Sequence, residues 1–335
     1  MNTYDPNTLY DKPKKKKKGR KGFIIFLAIV AVILGISIAV NAGVIHLGGK
    51  TETYEYEEDY IGVLEVHGTM YGDGSDLYYN QDWLLERINQ MKYDKYNRGL
   101  MLSIDTPGGD VYAIDELYLK IKDYQDTTGR PVYAYMESMA ASGGYYIAAP
   151  AEKIYANRNC WTGSIGVTVG TVYDISAFLD ELGIKTVTIT AGDNKAMGSS
   201  VEPLTKEQKE IYQGLVDEAY DQFVGIVSEG RKMNVKKVVE LADGRIYTAK
   251  QAKENGLIDE ISTREEAIAA MKKQCGLETA ADKIMSYEPE LGFGSWLMGM
   301  AQDRNSNAKT EYEQIMELMG ESHKFTITYL SEIRK

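Results

Sequence analysis

Leu100-Met101-Leu102-Ser103-Ile104-Asp105-Thr106-Pro107-Gly108-Gly109 decides the reading of this chain. An apolar run of strand length ends in a proline and two glycines, the residues that stop a strand and let the backbone turn sharply. Ile114, Leu117, Ile121 and Tyr124 follow at helical spacing, and Val132-Tyr133-Ala134-Tyr135-Met136 reads as the next buried strand. Ala140-Ala141-Ser142-Gly143-Gly144-Tyr145-Tyr146 then opens a second helix. Strand, helix, strand, helix is the signature of a parallel sheet joined by right-handed crossovers. The loops at 105–109 and 137–143 both follow strands, which is where open α/β sheets place their ligands.

Working outward, Tyr60-Ile61-Gly62-Val63-Leu64-Glu65-Val66 reads as a strand and 82–91 as a helix with Trp83, Leu84, Ile88 and Met91 on one face. Ile154-Tyr155-Ala156, Ile165-Gly166-Val167 and Lys185-Thr186-Val187-Thr188-Ile189 read as further strands. A helix-rich region follows at 205–242, then a short α/β segment to Met271. Near the C-terminus, Tyr312, Ile315, Met316 and Met319 have helical spacing, and Phe325-Thr326-Ile327-Thr328-Tyr329-Leu330 is strand-like.

Charge divides the chain. Residues 1–22 carry eight basic side chains against Asp5 and Asp11, and Phe23 to Leu47 contains no charged side chain. A run of 25 residues exceeds the ~20 that a helix needs to cross a bilayer. The basic cluster ahead of it predicts a single-pass anchor with residues 1–22 cytoplasmic and the rest outside. A cleaved signal peptide is the competing reading, but its apolar core is usually only ~7–15 residues long. Residues 48–59 read as an acidic stalk. Residues 23–335 hold 30 basic and 47 acidic residues, a formal charge of −17, which repels nucleic acid and attracts cationic ligands. The lysine run needs no nucleic acid to explain it, because anionic lipid beside a span suffices. Cys160 and Cys275, the two cysteines, can pair outside the cell but make no framework, and no spacing of Cys or His suits a metal or haem.

Chemistry concentrates at Ser142. Small residues before a serine and glycines after it suit a tight strand-to-helix turn that exposes the hydroxyl beside free backbone N–H groups. A serine needs a base to take its proton. The three histidines, His46, His67 and His323, lie away from the glycine-rich motifs. Lysine is the main alternative, and Lys195 stands in the glycine-rich stretch Thr190–Ser199. A lysine base must be neutral, and burial favours the neutral amine. Gly109 and Gly143 are candidate oxyanion donors, with Gly108 a third. Ser164, in Thr162-Gly163-Ser164-Ile165-Gly166-Val167, can hydrogen-bond a lysine amine or serve as an ordinary turn residue.

Together, Asp105–Gly109, Ala141–Tyr145, Thr162–Val167, Lys195-x-x-Gly198-Ser199 and Gly244-Arg245-Ile246-Tyr247-Thr248-Ala249 resemble the signal peptide peptidase A family, peptidase family S49. The resemblance spans about residues 60–270. It implies a Clp protease/crotonase-like fold, an α/β parallel sheet with crossover helices preceded by one N-terminal transmembrane helix. It implies Ser142 as nucleophile, Lys195 as general base, Ser164 orienting the lysine, and Gly109 and Gly143 in the oxyanion hole. Expected substrates are hydrophobic peptides, chiefly remnant signal peptides, cut without metal or cofactor by a bacterial membrane enzyme of the short form, assembled as a homo-octamer. A peptidase domain is expected at 60–275. The C-terminal tail at 276–335 extends beyond the family motifs, and its strand-like run can add to a sheet edge, so the tail is expected to dock on the peptidase or on a neighbouring subunit, in a substrate groove. Asn194 departs from the family, which has an aromatic residue before the lysine. Two other readings remain: an acidic surface that captures cationic antimicrobial peptides, and a crotonase-like acyl-CoA enzyme using the same glycines without Ser142 or Lys195.

Overall fold

Tyr60–His67 (β1), Asn97–Thr106 (β2) and Val132–Ala141 (β4) form the centre of a parallel sheet in the computed structural model, which describes residues 57–74, 76–288 and 328–330. All of these fall in one unit, residues 55–289 with 297–335. The basic tail, the expected anchor at 23–47, nearly all of the stalk and most of the C-terminal tail lie outside the described residues. Among the described residues no helix is long and apolar enough to cross a membrane.

The sheet extends on one side to Ala281–Met285 (β9), parallel to β1 and beyond the boundary expected at 275. On the other side β4 pairs first with Lys153–Ala156 (β5) and then with Trp161–Gly163 (β6). Glu260–Ile261 (β8) adds to β5, and Ile246–Thr248 (β7) closes the edge antiparallel to β6. The architecture is therefore mixed α/β with a mainly parallel sheet.

Helices cover both faces because both faces of the strands are apolar. Leu64, Val66, Leu102, Ile104, Ala134 and Met136 pack against Gln81–Tyr93 (α1), Val111–Thr128 (α2) and Gly143–Ala148 (α3). Ile61, Val63, Met101, Tyr133 and Tyr135 form a smaller cluster with Ala267, Ile268 and Met271 of Arg264–Gln274, the last helix among the described residues. Each such aliphatic side chain contributes roughly 1.5–3 kcal/mol on burial. Local signals set the helix ends. Asn80 accepts from the Trp83 N–H at 2.9 Å to start α1, and Gly129 at φ 62° ends α2 in the left-handed conformation that glycine tolerates.

Two expected strands are absent among the described residues. Ile165–Val167 is irregular, because Gly163 at φ 81° and Ser164 at φ 50° turn the chain out of β6. Lys185–Ile189 pairs with nothing described and is exposed, with Val187 at 83% and Ile189 at 92%. Its β-branched residues have the composition of a strand but no edge to join.

The C-terminal strand does form. Thr328–Leu330 (β10) lies antiparallel to Gly108–Asp110 (β3), with Tyr329 opposite Gly109. On its other side Thr328 exchanges two backbone hydrogen bonds with Thr168, at 2.9 and 3.1 Å. The Tyr329 ring is fully buried against Tyr146 and Phe223, and its hydroxyl donates to the Ala219 carbonyl at 2.8 Å.

Candidate active site

Ser142 closes β4 and precedes α3 at φ 54°, ψ −113°, a conformation that L-residues rarely take. Such strain costs on the order of 1–3 kcal/mol and persists only where the surroundings enforce it. They do so here. The Ser142 N–H donates to the Gly163 carbonyl at 2.7 Å, and the Ser142 carbonyl accepts from the Tyr146 N–H at 2.9 Å. The following glycines allow α3 to press on its neighbours: a Cβ on Gly143 would lie 2.2 Å from the Ile114 Cδ1, and one on Gly144 2.8 Å from the Thr106 Cγ2. Ser142 is 1% exposed, at the bottom of this turn.

Gly108 and Gly109 approach the same point from β3. Gly108 has φ 102°, and a Cβ on it would lie 1.8 Å from the Tyr329 carbonyl oxygen and 2.7 Å from the Gly143 nitrogen. The Gly108 N–H donates to the Thr106 Oγ1 at 3.1 Å, and that hydroxyl donates in turn to the Gly68 carbonyl. The Gly108 carbonyl accepts from the Met70 N–H, and the Asp110 N–H donates to the Met70 carbonyl. Alternation along a strand then turns the Gly109 amide to the opposite edge, where Tyr329 is its partner. The Gly109 amide thus faces Tyr329, and the Gly143 amide lies beside Ser142 close to Gly108.

Ser164 is buried next to this turn, its N–H donating to the Arg245 carbonyl at 2.8 Å. Lys195 is placed differently. Its backbone N–H donates to the Gly192 carbonyl at 3.1 Å, its side chain is exposed, and among the described residues no hydrogen bond joins it to Ser142 or Ser164. The fold therefore brings together Ser142, Ser164, Gly108, Gly109 and Gly143 within one chain, and leaves Lys195 on a surface segment. Thr106 and Thr168 were not singled out in the sequence as parts of the site; Tyr329 was named only as part of the strand-like run 325–330. Thr106 stands inside the quoted motif, but a threonine before Pro-Gly-Gly gives no sign that its hydroxyl will hold a glycine amide.

Beyond the site, polar side chains of β1, β2 and β4 gather near Arg264, at the start of the Arg264–Gln274 helix. The His67 Nε2 lies 3.1 Å from the Glu137 Oε1, which also accepts from the Ser103 hydroxyl at 2.7 Å. Glu65 pairs with Arg264 at 2.6 Å and accepts from Ser286 at 2.5 Å. The ligand atoms of Glu65, His67 and Glu137 lie within 4.8 Å of one another, but these ion pairs and hydrogen bonds already account for their placement. The bond to Glu137 raises the His67 pKa above its usual value, helped by the charges of Glu137, Glu65 and Asp105 and opposed by burial. The same bond lowers that of Glu137, with Ser103 and Arg264 assisting. A raised histidine stabilises the fold below its unfolded pKa and loses that contribution as pH rises through the folded value; a lowered carboxylate loses its own as pH falls. The melting-temperature difference between wild type and Glu137→Gln is therefore expected to peak near pH ~5–6.5 and to shrink by pH ~8. Thermal melts across that range check it, and a pH-independent difference contradicts it.

The profile of peptidase family S49 matches residues 125–278. A candidate signal peptide peptidase SppA of Enterococcus faecium is 37% identical over 244 residues, covering 70% of this chain and 69% of the relative. The chloroplastic serine protease SPPA of Arabidopsis thaliana is 33% identical over 216 residues, which are 64% of this chain and 31% of that one. Among solved structures, a ClpP1 variant from Listeria monocytogenes aligns with 62% of this chain and 94% of its own at 14% identity, with a TM-score of 0.41. The chain belongs to peptidase family S49 and is a serine peptidase.

Proposed function

We propose that this chain is a membrane-anchored endopeptidase that uses a Ser–Lys dyad to cut hydrophobic peptides, chiefly signal peptides already released from preproteins. The observation that carries the reading is the strained, buried Ser142 flanked by the Gly109 and Gly143 amides. The Ser142 Oγ attacks the scissile carbonyl and gives its proton to the neutral Lys195 amine. Gly109 and Gly143 hold the oxyanion, a contribution of about 2.7–4 kcal/mol per donor in comparable sites. Collapse breaks the C–N bond, and the Lys195 ammonium protonates the departing amine. Water then attacks the acyl-enzyme, returns its proton to Lys195 and frees Ser142. Ser164 orients the amine.

Lys195 comes from a neighbouring subunit in this reading. Its exposure supports that, as does the apolar surface on its segment, where Phe178, Leu182, Ile184, Val187 and Ile189 are all exposed. A ring, an octamer by the family resemblance, covers those side chains and shields the lysine from water. The run 23–47 anchors the chain, with the peptidase outside the cytoplasm. Labelling the full chain with a serine-reactive peptidyl phosphonate and mapping the adduct tests the assignment: modification of Ser142 supports it, and modification of another residue removes it.

The tail belongs to the same proposal. An extended peptide adds to a free strand edge through main-chain hydrogen bonds, and β10 holds the edge that carries Gly109. The tail then competes with substrate. Deletion of residues 305–335 is expected to raise turnover of a short apolar peptide several-fold, measured as initial rate at limiting substrate. Slower turnover, or a loss of oligomer mass in light scattering, assigns the tail a structural role instead.

A further inference from the structure

The pairing of β2 with β4 contains a jump. Ile104 pairs with Met136, yet Thr106 pairs with Ala140, so two residues along β2 oppose four along β4. Glu137, Ser138 and Met139 form the resulting bulge, three residues before Ser142. Bulges beside active sites re-aim side chains and are held by specific contacts.

An extra pair of residues raises a particular problem. Side chains alternate with period two, so expelling the pair keeps every residue on its own face of the sheet. The apolar pattern of β4 therefore does not oppose that slip. It would bring Ser138 opposite Thr106 and displace Ser142 by about 6–7 Å along the strand. Something other than hydrophobic patterning must hold the register.

Polar groups on β1 and β2 grip each bulge residue. The Asp105 Oδ1 accepts from the Ser138 hydroxyl at 2.6 Å and from the Met139 N–H at 3.0 Å. Glu137 is tied to Ser103 and His67. The Asp105 carboxylate thus satisfies a backbone N–H that the bulge removes from the ladder. We infer that Asp105 is a positioning residue for the nucleophile, a register clamp whose carboxylate holds the β4 bulge and so keeps Ser142 beside Gly109, Gly143 and Gly163. This rests on Ser142 being the nucleophile.

The test uses the full-length chain, a peptidyl phosphonate and a short apolar peptide. Asp105→Ala is expected to slow phosphonate capture and kcat by about 30–100-fold, the scale at which small misplacements of reacting groups act. KM stays within about threefold of wild type. Asp105→Asn keeps an acceptor oxygen at the same place, and its rates are expected within about threefold of wild type. Ser138→Ala removes one of the two donors, slows capture by about 3–10-fold, and serves if Asp105→Ala fails to fold. Wild-type capture rates in Asp105→Ala, or in Ser138→Ala where that variant stands in, overturn the clamp. So does an Asn variant as slow as the Ala variant, because an acceptor is then not what matters. If the wild-type adduct maps to a residue other than Ser142, the nucleophile assignment falls first and the clamp with it. An adduct on Ser142 with unchanged rates in the variants overturns the clamp alone.

Discussion

Ser142→Ala is expected to lower peptide turnover by at least about a thousandfold while the protein stays folded. No other group in the turn offers a nucleophile: the flanking residues are alanine and glycine, and the amides there can only donate. The loss therefore falls on kcat, with substrate binding through the strand edge retained. Stability should change little, since one hydroxyl is lost and the backbone contacts to Gly163 and Tyr146 remain. A shift in melting temperature within about 2–4 °C corresponds to a change of about 1 kcal/mol in a domain of this size. Initial rates on a short apolar peptide beside a thermal melt check both halves. Turnover within tenfold of wild type would falsify the nucleophile assignment.

Lys195→Ala should be as inactive as Ser142→Ala, and the double variant no worse than either, because groups that act as one unit are not additive. The more informative result comes from mixing. If Lys195 serves the Ser142 of a neighbour, co-assembled Ser142→Ala and Lys195→Ala protomers regain sites built from one intact serine and one intact lysine. The recovered rate is expected to be a substantial fraction of wild type, against a background near zero for each variant alone. Co-expression with two affinity tags, purification of the hybrid and a peptide assay measure it. A hybrid as inactive as its parents places the dyad within one chain. Full activity in Lys195→Ala alone removes the lysine from the mechanism.

The parts of this molecule legible in the sequence are those set by local chemistry. Strands β1, β2 and β4 were evident from continuous apolar runs, because a parallel strand buried on both faces needs them. The turn at Ser142 and the close approach at Gly109 and Gly143 were legible because a sharp strand-to-helix turn and tightly packed backbone require small residues in sequence order. Local reading failed at Ile165–Val167 and Lys185–Ile189. Strand propensity there was real, but a strand exists only where a partner edge does, and pairing is a tertiary matter.

The sequence by itself determined the α/β class, the order of strands and helices through the core, and the serine-centred chemistry. Each of these follows from side-chain size, polarity and spacing along a few consecutive residues. Only the tertiary structure decided which groups the glycine amides meet, since the Thr106 hydroxyl takes that of Gly108. It alone set Tyr329 opposite Gly109 from more than two hundred residues away. It alone put Lys195 on an exposed segment away from Ser142, and inserted two residues into β4 that alternation cannot reveal. The physical reason is common to all four. Hydrogen-bond partnership and register depend on which groups meet in space, and a period-two or period-3.6 pattern is the same for many such meetings.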